Sequence, residues 1–198
     1  MEKVIIATAN KEKLKEMREI LSPLGIEAVS MADAGYDLEI EENGSTFEEN
    51  AYIKAKAVCD ASGEIAIADD SGIIIDALDG MPGVYSARFL GHDTPYEIKN
   101  QKIIEMLKEV KGKDRSARYV CSIACVFPDG RVIRAEDTFE GEIAHVPAGE
   151  NGFGYDPIFY LPELGKTAAQ LSPEEKNAIS HRGKALRKLE KRLKEINN

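Results

Sequence analysis

Apolar residues come in short runs separated by stretches of helical spacing, the pattern of strands alternating with helices. Val4-Ile5-Ile6-Ala7 reads as a buried strand. Leu14, Met17, Ile20 and Leu21 then share one helical face, and Ser22-Pro23-Leu24-Gly25 ends that helix. A short strand follows over Ile26 to Val29. Phe47, Ala51 and Val58 mark the inner face of a second helix, over about 46–61, opened by a capping box of Ser45 with Glu48 or Thr46 with Glu49. Ile65 to Ala68 reads as another buried strand. Asp69, Asp70, Ser71 and Gly72 then interrupt the apolar pattern before Ile73-Ile74-Ile75. Asp, Ser and Gly are turn residues, so the plain alternative here is a turn at a strand end; the favoured reading is a functional use for the two acids.

The second half changes character. Pro82-Gly83 marks a turn, and the type of the element over Val84 to Phe89 is not fixed by the pattern. Thr94-Pro95-Tyr96-Glu97 predicts a helix capped by Thr94, with Ile103, Ile104, Leu107 and Val110 inward. Lys111 to Asp114 is a linker turn. Ala117 to Phe127 is β-rich, Pro128-Asp129-Gly130 is a hairpin signal, and Arg131 to Glu140 returns with alternating character. This hairpin beside a βα pattern predicts a mixed sheet. Ser172-Pro173-Glu174-Glu175 opens a helix that ends near Ser180-His181-Arg182-Gly183. A last amphipathic helix carries Ala185, Leu186, Leu189, Leu193 and Ile196. There is no internal repeat.

Composition narrows the classes. The 198 residues are 43% hydrophobic and 31% charged, enough for one large domain or two small lobes. The net charge of -9 disfavours sequence-independent binding to nucleic acid. Basic residues near the C-terminus alternate with Glu190 and Glu195, as on a solvated helix face. No run approaches the ~20 apolar residues of a membrane span. The start, Met1-Glu2-Lys3, is too acidic and its apolar run too short for a signal peptide. Cys59, Cys121 and Cys125 form no C-x-x-C and read as core thiols of a reducing compartment. The expectation is a cytoplasmic protein.

Candidate chemistry gathers at four places. Asp69 and Asp70 follow a core strand, where an unpaired carboxylate is costly unless a metal or proton transfer uses it. The segment Thr8-Ala9-Asn10-Lys11-Glu12-Lys13 leads a strand into a helix N-terminus, an anion site by its free N–H groups. The alternative there is plain capping by Thr8 and Asn10. An acidic loop holds Asp33, Asp37, Glu39, Glu41 and Glu42, one of which could join Asp70 on a metal. In the Gly-rich loop 147–157, Phe153 or Tyr155 could stack on a base, or both could pack inward. Gly165-Lys166-Thr167 is not a P-loop, because Tyr160 stands where its first glycine belongs. His92, His145 and His181 are scattered, without zinc spacing, and there is no G-x-S-x-G elbow.

Six segments in order resemble the inosine triphosphate pyrophosphatase family, the non-standard purine NTP pyrophosphatases. They are residues 7–13, 44–51, 68–72 and 80–88, then Gly152-Phe153-Gly154-Tyr155-Asp156-Pro157 and Lys176-Asn177-Ala178-Ile179-Ser180-His181-Arg182-Gly183. Asn43 and Asp79 depart from the usual Thr and Gly. The resemblance implies an elongated α/β fold: a mixed sheet flanked by helices, one domain over 1–198 with two lobes and a central nucleotide cleft. It implies a homodimer and Mg²⁺-dependent hydrolysis of ITP, dITP and XTP to the monophosphate and pyrophosphate. On that reading Asp70 is the catalytic base and, with Glu42, the metal ligand. Thr8, Ala9, Asn10, Lys11, Glu12 and Lys13 bind the triphosphate, with Lys54 a weaker candidate. Ser71 holds a phosphate oxygen or the sugar. Phe153 stacks on the purine, and Gly154, Tyr155 and Asp156 line its pocket. Lys176, His181 and Arg182 select the base. The rivals are a related pyrophosphatase acting on other modified nucleotides and a nucleotide-binding regulator without turnover.

Overall fold

The β-branched runs form strands in the computed structural model, which describes residues 2–196. Strand β1 (Glu2–Ile6) pairs in parallel with β2 (Ile26–Ser30), Val4 opposite Ala28, and with β3 (Ala66–Ile75), Ile5 opposite Ala66. Parallel pairs need long crossovers, which helices α1 (Lys11–Leu21) and α2 (Phe47–Ser62) supply. Strands β4 (Ser116–Val126) and β5 (Val132–Ile143) are joined by a turn in which the Phe127 N–H donates to the Arg131 carbonyl at 3.0 Å. β5 pairs antiparallel with β6 (Phe159–Leu161), and β6 with β7 (Lys166–Thr167). The strand order is β2-β1-β3-β4-β5-β6-β7, so the sheet is mixed, as the hairpin signal requires. Helices α3 (Tyr96–Met106), α4 (Pro173–Ile179) and α5 (His181–Ile196) complete the α/β architecture.

The chain divides into two compact units. The first comprises residues 1–70, 121–137 and 181–198, and the second 71–120 and 138–180. In the first, β1 is buried on both faces, so its side chains alternate between two apolar clusters. Val4 and Ile6 join Met17, Leu21, Leu186 and Leu189 of α1 and α5, whereas Ile5 and Ala7 join Ala51, Ala55 and Val58 of α2. In the second unit, Ile73, Ile75, Ile103, Leu107, Tyr119, Phe139, Tyr155 and Phe159 form one core.

Several expectations change. The alternative of a turn at 69–72 does not hold: β3 runs unbroken from Ala66 to Ile75 between β1 and β4, and helix residues Lys13, Lys54 and Arg182 pair with its two acids. Thr94 does not cap α3. Its hydroxyl donates to the Leu90 carbonyl at 2.7 Å, the helix begins after Pro95, and it ends at Met106 rather than Val110. The segment Gly83–Arg88 is a 3₁₀ helix. His181, Arg182 and Gly183 open the last helix instead of closing the previous one. The side chain of Ile196 lies outside the described residues.

Candidate active site

The alternation of β3 divides the two adjacent acids. Ala66 and Ala68 face the α2 cluster, and Ile67 faces the α1/α5 cluster. With a period of two, Asp70 is delivered to the α2 side and Asp69 to the α1/α5 side. Both are buried, at 8% and 1% exposure.

On the α2 side, Lys54 Nζ lies 3.0 Å from Asp70 Oδ1 and 2.9 Å from Glu42 Oε2. One turn earlier, Asn50 Nδ2 donates to Asp70 Oδ2 at 3.3 Å, and Asn50 Oδ1 accepts the Gly44 N–H at 2.8 Å. The helix that carries both residues is fixed at its start by the Thr46–Glu49 capping box. A Cβ on Gly44 would come within 2.7 Å of Asn50 Oδ1, so only glycine lets the acidic loop close onto this site. Glu42 turns inward and Glu41 is exposed. Burial, and then the charge of Glu42, push the Asp70 carboxyl up, against the pull of Lys54 and Lys13, and the net direction is upward. Glu42 itself is held down: burial raises it, but Lys54 outweighs that. Lys54 is kept charged by Asp70, Asp69 and Glu42 despite its burial.

Among the described residues, no group of three or more His, Cys, Asp or Glu side chains could hold a metal. Glu42 and Asp70 are nevertheless two hard oxygen donors brought together around a cation, Lys54. Magnesium needs one or two carboxylates, with waters and phosphate oxygens completing its shell, and this donor set fits it.

On the other side, Arg182 grips Asp69 Oδ2 through Nε at 3.1 Å and Nη2 at 2.9 Å, while its Nη1 donates to Glu16. Lys13 Nζ lies 3.4 Å from Asp69 Oδ1, and the Cys121 thiol donates to Oδ2 at 3.8 Å. Burial would raise the Asp69 carboxyl, but Lys13 and Arg182 hold it well below the usual range. Arg182 is one of the three residues expected to select the base. The residue is 1% exposed, and its guanidinium bonds two carboxylates in the first unit. His181 is buried beside it at the start of α5.

The Thr8–Lys13 segment caps its own helix. Asn10 Oδ1 accepts the N–H groups of Glu12 and Lys13 at 2.9 and 3.1 Å, and Thr8 Oγ1 accepts that of Asn10 at 3.2 Å. Ala9, Lys11 and Glu12 are exposed. These two helix amides are therefore engaged with Asn10, and the cationic component of the segment aimed at the acids is Lys13.

A second cluster lies wholly within the second unit. Asp156, 2% exposed, accepts Lys176 Nζ at 2.7 Å and the Phe153 N–H at 2.9 Å on Oδ2, and the Tyr119 hydroxyl at 3.2 Å on Oδ1. Lys176 Nζ also sits 5.0 Å from the centre of the Phe153 ring, in cation–π range. The two aromatics of the Gly-rich loop part company. Phe153 is half-buried, whereas Tyr155 packs inward against Tyr96 and donates to the Ser86 carbonyl at 2.7 Å. Asn100 Nδ2 holds the Gly154 carbonyl at 3.1 Å. Ser71, half-buried, is the first residue of this unit on β3. Gly152 has φ +70°, and a Cβ there would fall 2.1 Å from Asp156 Oδ2. Gly152→Ala is expected to cost about 1–3 kcal/mol, the scale of backbone strain at such a site. Urea unfolding checks this, and an unchanged midpoint would contradict the tight approach.

The model of the Ham1 family matches residues 4–192. The chain belongs to the Ham1 family. It is 49% identical over 186 residues to a Desulforamulus reducens protein named dITP/XTP pyrophosphatase, covering 94% of this chain and 92% of that one. A Bacillus subtilis (strain 168) protein of the same name is 48% identical over 193 residues, 98% of each chain. Its fold is similar to that of the solved Ham1 protein of Coxiella burnetii, with a TM-score of 0.88 and 45% identity over 98% of this chain and 100% of that one. The Staphylococcus aureus Ham1 protein gives 0.86 and 41% over 98% of both.

Four partners in these Ham1-family clusters escaped sequence reasoning: Glu16, Asn50, Asn100 and Tyr119. Asn50 and Lys54 carry a signal in hindsight, since their i,i+4 spacing puts two polar groups on the buried face of α2. Tyr119 carries none, because a tyrosine in an apolar strand reads as core.

Proposed function

We propose that this chain hydrolyses the non-standard purine nucleoside triphosphates ITP, dITP and XTP to the monophosphate and pyrophosphate, removing them from the nucleotide pool. The observation that carries the reaction is the buried Asp70–Glu42 pair around Lys54, within a family whose relatives bear the name dITP/XTP pyrophosphatase. Glu42 and Asp70 would hold Mg²⁺, which when bound supplies Lewis-acid stabilisation of the phosphate oxygens.

The chain's own groups do the rest. Asp70 takes a proton from the attacking water, whose oxygen forms a bond to the α-phosphorus. The bond from that phosphorus to the α–β bridging oxygen breaks, and pyrophosphate leaves with the electron pair. Lys13 and Lys54 balance the triphosphate charge, with the Thr8–Lys13 segment as its seat and Ser71 on a phosphate or sugar oxygen. Phe153 stacks on the purine, worth about 1–3 kcal/mol. Lys176, kept near Phe153 by Asp156, presents N–H donors to the 6-oxo group of hypoxanthine or xanthine. A 6-amino group would meet them donor to donor, and such mismatches are strongly rejected. Arg182 belongs to this reading as the holder of Asp69. A homodimer and a cytoplasmic setting complete the proposal; among the described residues no helix is long and apolar enough to cross a membrane.

The test is a substrate panel of ITP, dITP, XTP, ATP and modified pyrimidine triphosphates, with pyrophosphate release measured with and without Mg²⁺. Preferential, Mg²⁺-dependent turnover of the deaminated purines is expected. Equal turnover of ATP and ITP would sink the purine-repair reading.

A further inference from the structure

Asp156 presents its two carboxylate oxygens differently. Oδ2 accepts from Lys176 Nζ and the Phe153 N–H, two groups of the base site proposed above. Oδ1 takes the hydroxyl of Tyr119, from a different element, β4. A carboxylate buried to this degree is stable only when donors surround it, so each donor also fixes its orientation. The Tyr119 ring is itself buried in the core. It packs on Phe159 with centroids 4.7 Å apart, and Phe159 packs on Phe139 at 5.2 Å, inside the core of the second unit. The hydroxyl is thus held by a core strand, whereas Phe153 and Asp156 lie in or beside a Gly-rich loop.

We propose that Tyr119 is a positioning residue for base recognition: by holding Asp156 Oδ1 it orients Oδ2 toward Lys176 and Phe153, and so sets the preference for 6-oxo over 6-amino purines. The identity of the base rests on the pyrophosphatase reading above. Without the hydroxyl, the carboxylate can turn about its terminal torsion and share Lys176 across both oxygens. That draws Nζ away from the position in which it meets the 6-oxo group, while the aromatic packing is preserved.

Tyr119→Phe tests this, with inosine and adenosine monophosphates titrated calorimetrically into wild type and variant, alongside KM and kcat for ITP. The variant should bind inosine monophosphate about ten-fold more weakly, the scale of one hydrogen bond to a charged group. Adenosine monophosphate affinity should stay within about two-fold. KM for ITP should rise by the same factor as the inosine affinity falls, with kcat nearly unchanged. Equal losses for both monophosphates would reveal a merely structural role and overturn the proposal. An unchanged inosine affinity, or a wild type that binds the two monophosphates alike, would overturn it as well. Should wild type fail to hydrolyse ITP while the variant still loses inosine affinity selectively, the pyrophosphatase reading falls and the positioning role stands.

Discussion

Asp70→Asn is expected to abolish Mg²⁺-dependent pyrophosphate release, by about 10³-fold or more, while the chain stays folded. A general base contributes roughly 10²–10⁴-fold, and the same substitution removes one of two carboxylates proposed for the metal. The burden on stability is small because the native carboxylate is not at ease. Burial and Glu42 push it upward, so ionised Asp70 is less favourable in the folded chain than in the unfolded one. The sign follows. Between the ordinary carboxylate value and the raised one, the folded state binds more protons, so wild type loses stability as pH rises through that window. The asparagine variant lacks that loss, and keeps Glu42 as a partner for Lys54 at 2.9 Å. Its Tm at neutral pH should lie within about 4 °C of wild type, the shift that ~1 kcal/mol produces in a chain of this size. Activity near the wild-type level would remove Asp70 from the chemistry. A collapse in Tm would show that its role is structural.

The same residue shows where sequence reading stopped. The longer strands and the helices were legible because apolar runs and 3.6-residue faces are properties of the chain alone, whereas β6 and β7, three and two residues long, were not; the hairpin signal at 128–130 was enough to make the sheet mixed. Asp69 and Asp70 were legible as an anomaly but not as a division of labour. A turn stayed open as the plain alternative, since a strand that carries two acids needs neighbours to satisfy them, and those neighbours, Lys13, Lys54 and Arg182, come from three different helices. Once β3 is known to continue, its two-residue period sends each acid to a different helix layer. Asn10 shows the reverse. The sequence allowed either a cap or a phosphate ligand; Asn10 caps both first-turn amides, at 2.9 and 3.1 Å, and the segment's part in seating phosphate belongs to the proposal above. Thr94 misled because a cap signal is local, and the carbonyl of Leu90 competed for its hydroxyl. Tyr119 was invisible because nothing in an apolar strand announces where one hydroxyl points.

Arg182→Leu should be the most destabilising of these changes. Wild-type Arg182 is 1% exposed, and its guanidinium bonds both Asp69, also 1% exposed, and Glu16. Removing one partner of a buried pair leaves an uncompensated charge and typically costs about 3–5 kcal/mol. At about 2–4 °C per kcal/mol for a chain of this length, Tm should fall by roughly 6–20 °C. The pH dependence should change in a stated direction. Asp69 is held below its ordinary value, after burial, by Lys13 and Arg182, so its contribution is fully present above that ordinary value and disappears as pH falls through the folded one. Without Arg182, burial is opposed mainly by Lys13, 3.4 Å away, and the carboxyl rises. The variant should therefore begin to lose its remaining Asp69 stabilisation at a higher pH, moving its acid-unfolding midpoint upward. Arg182→Lys keeps the charge but not the paired Nε and Nη2 donors, and should fall between the two. Thermal and acid unfolding followed by circular dichroism measure both effects. A Tm loss below about 3 °C in the leucine variant would mean that Lys13 alone satisfies Asp69, since less than ~1.5 kcal/mol would then separate the two proteins.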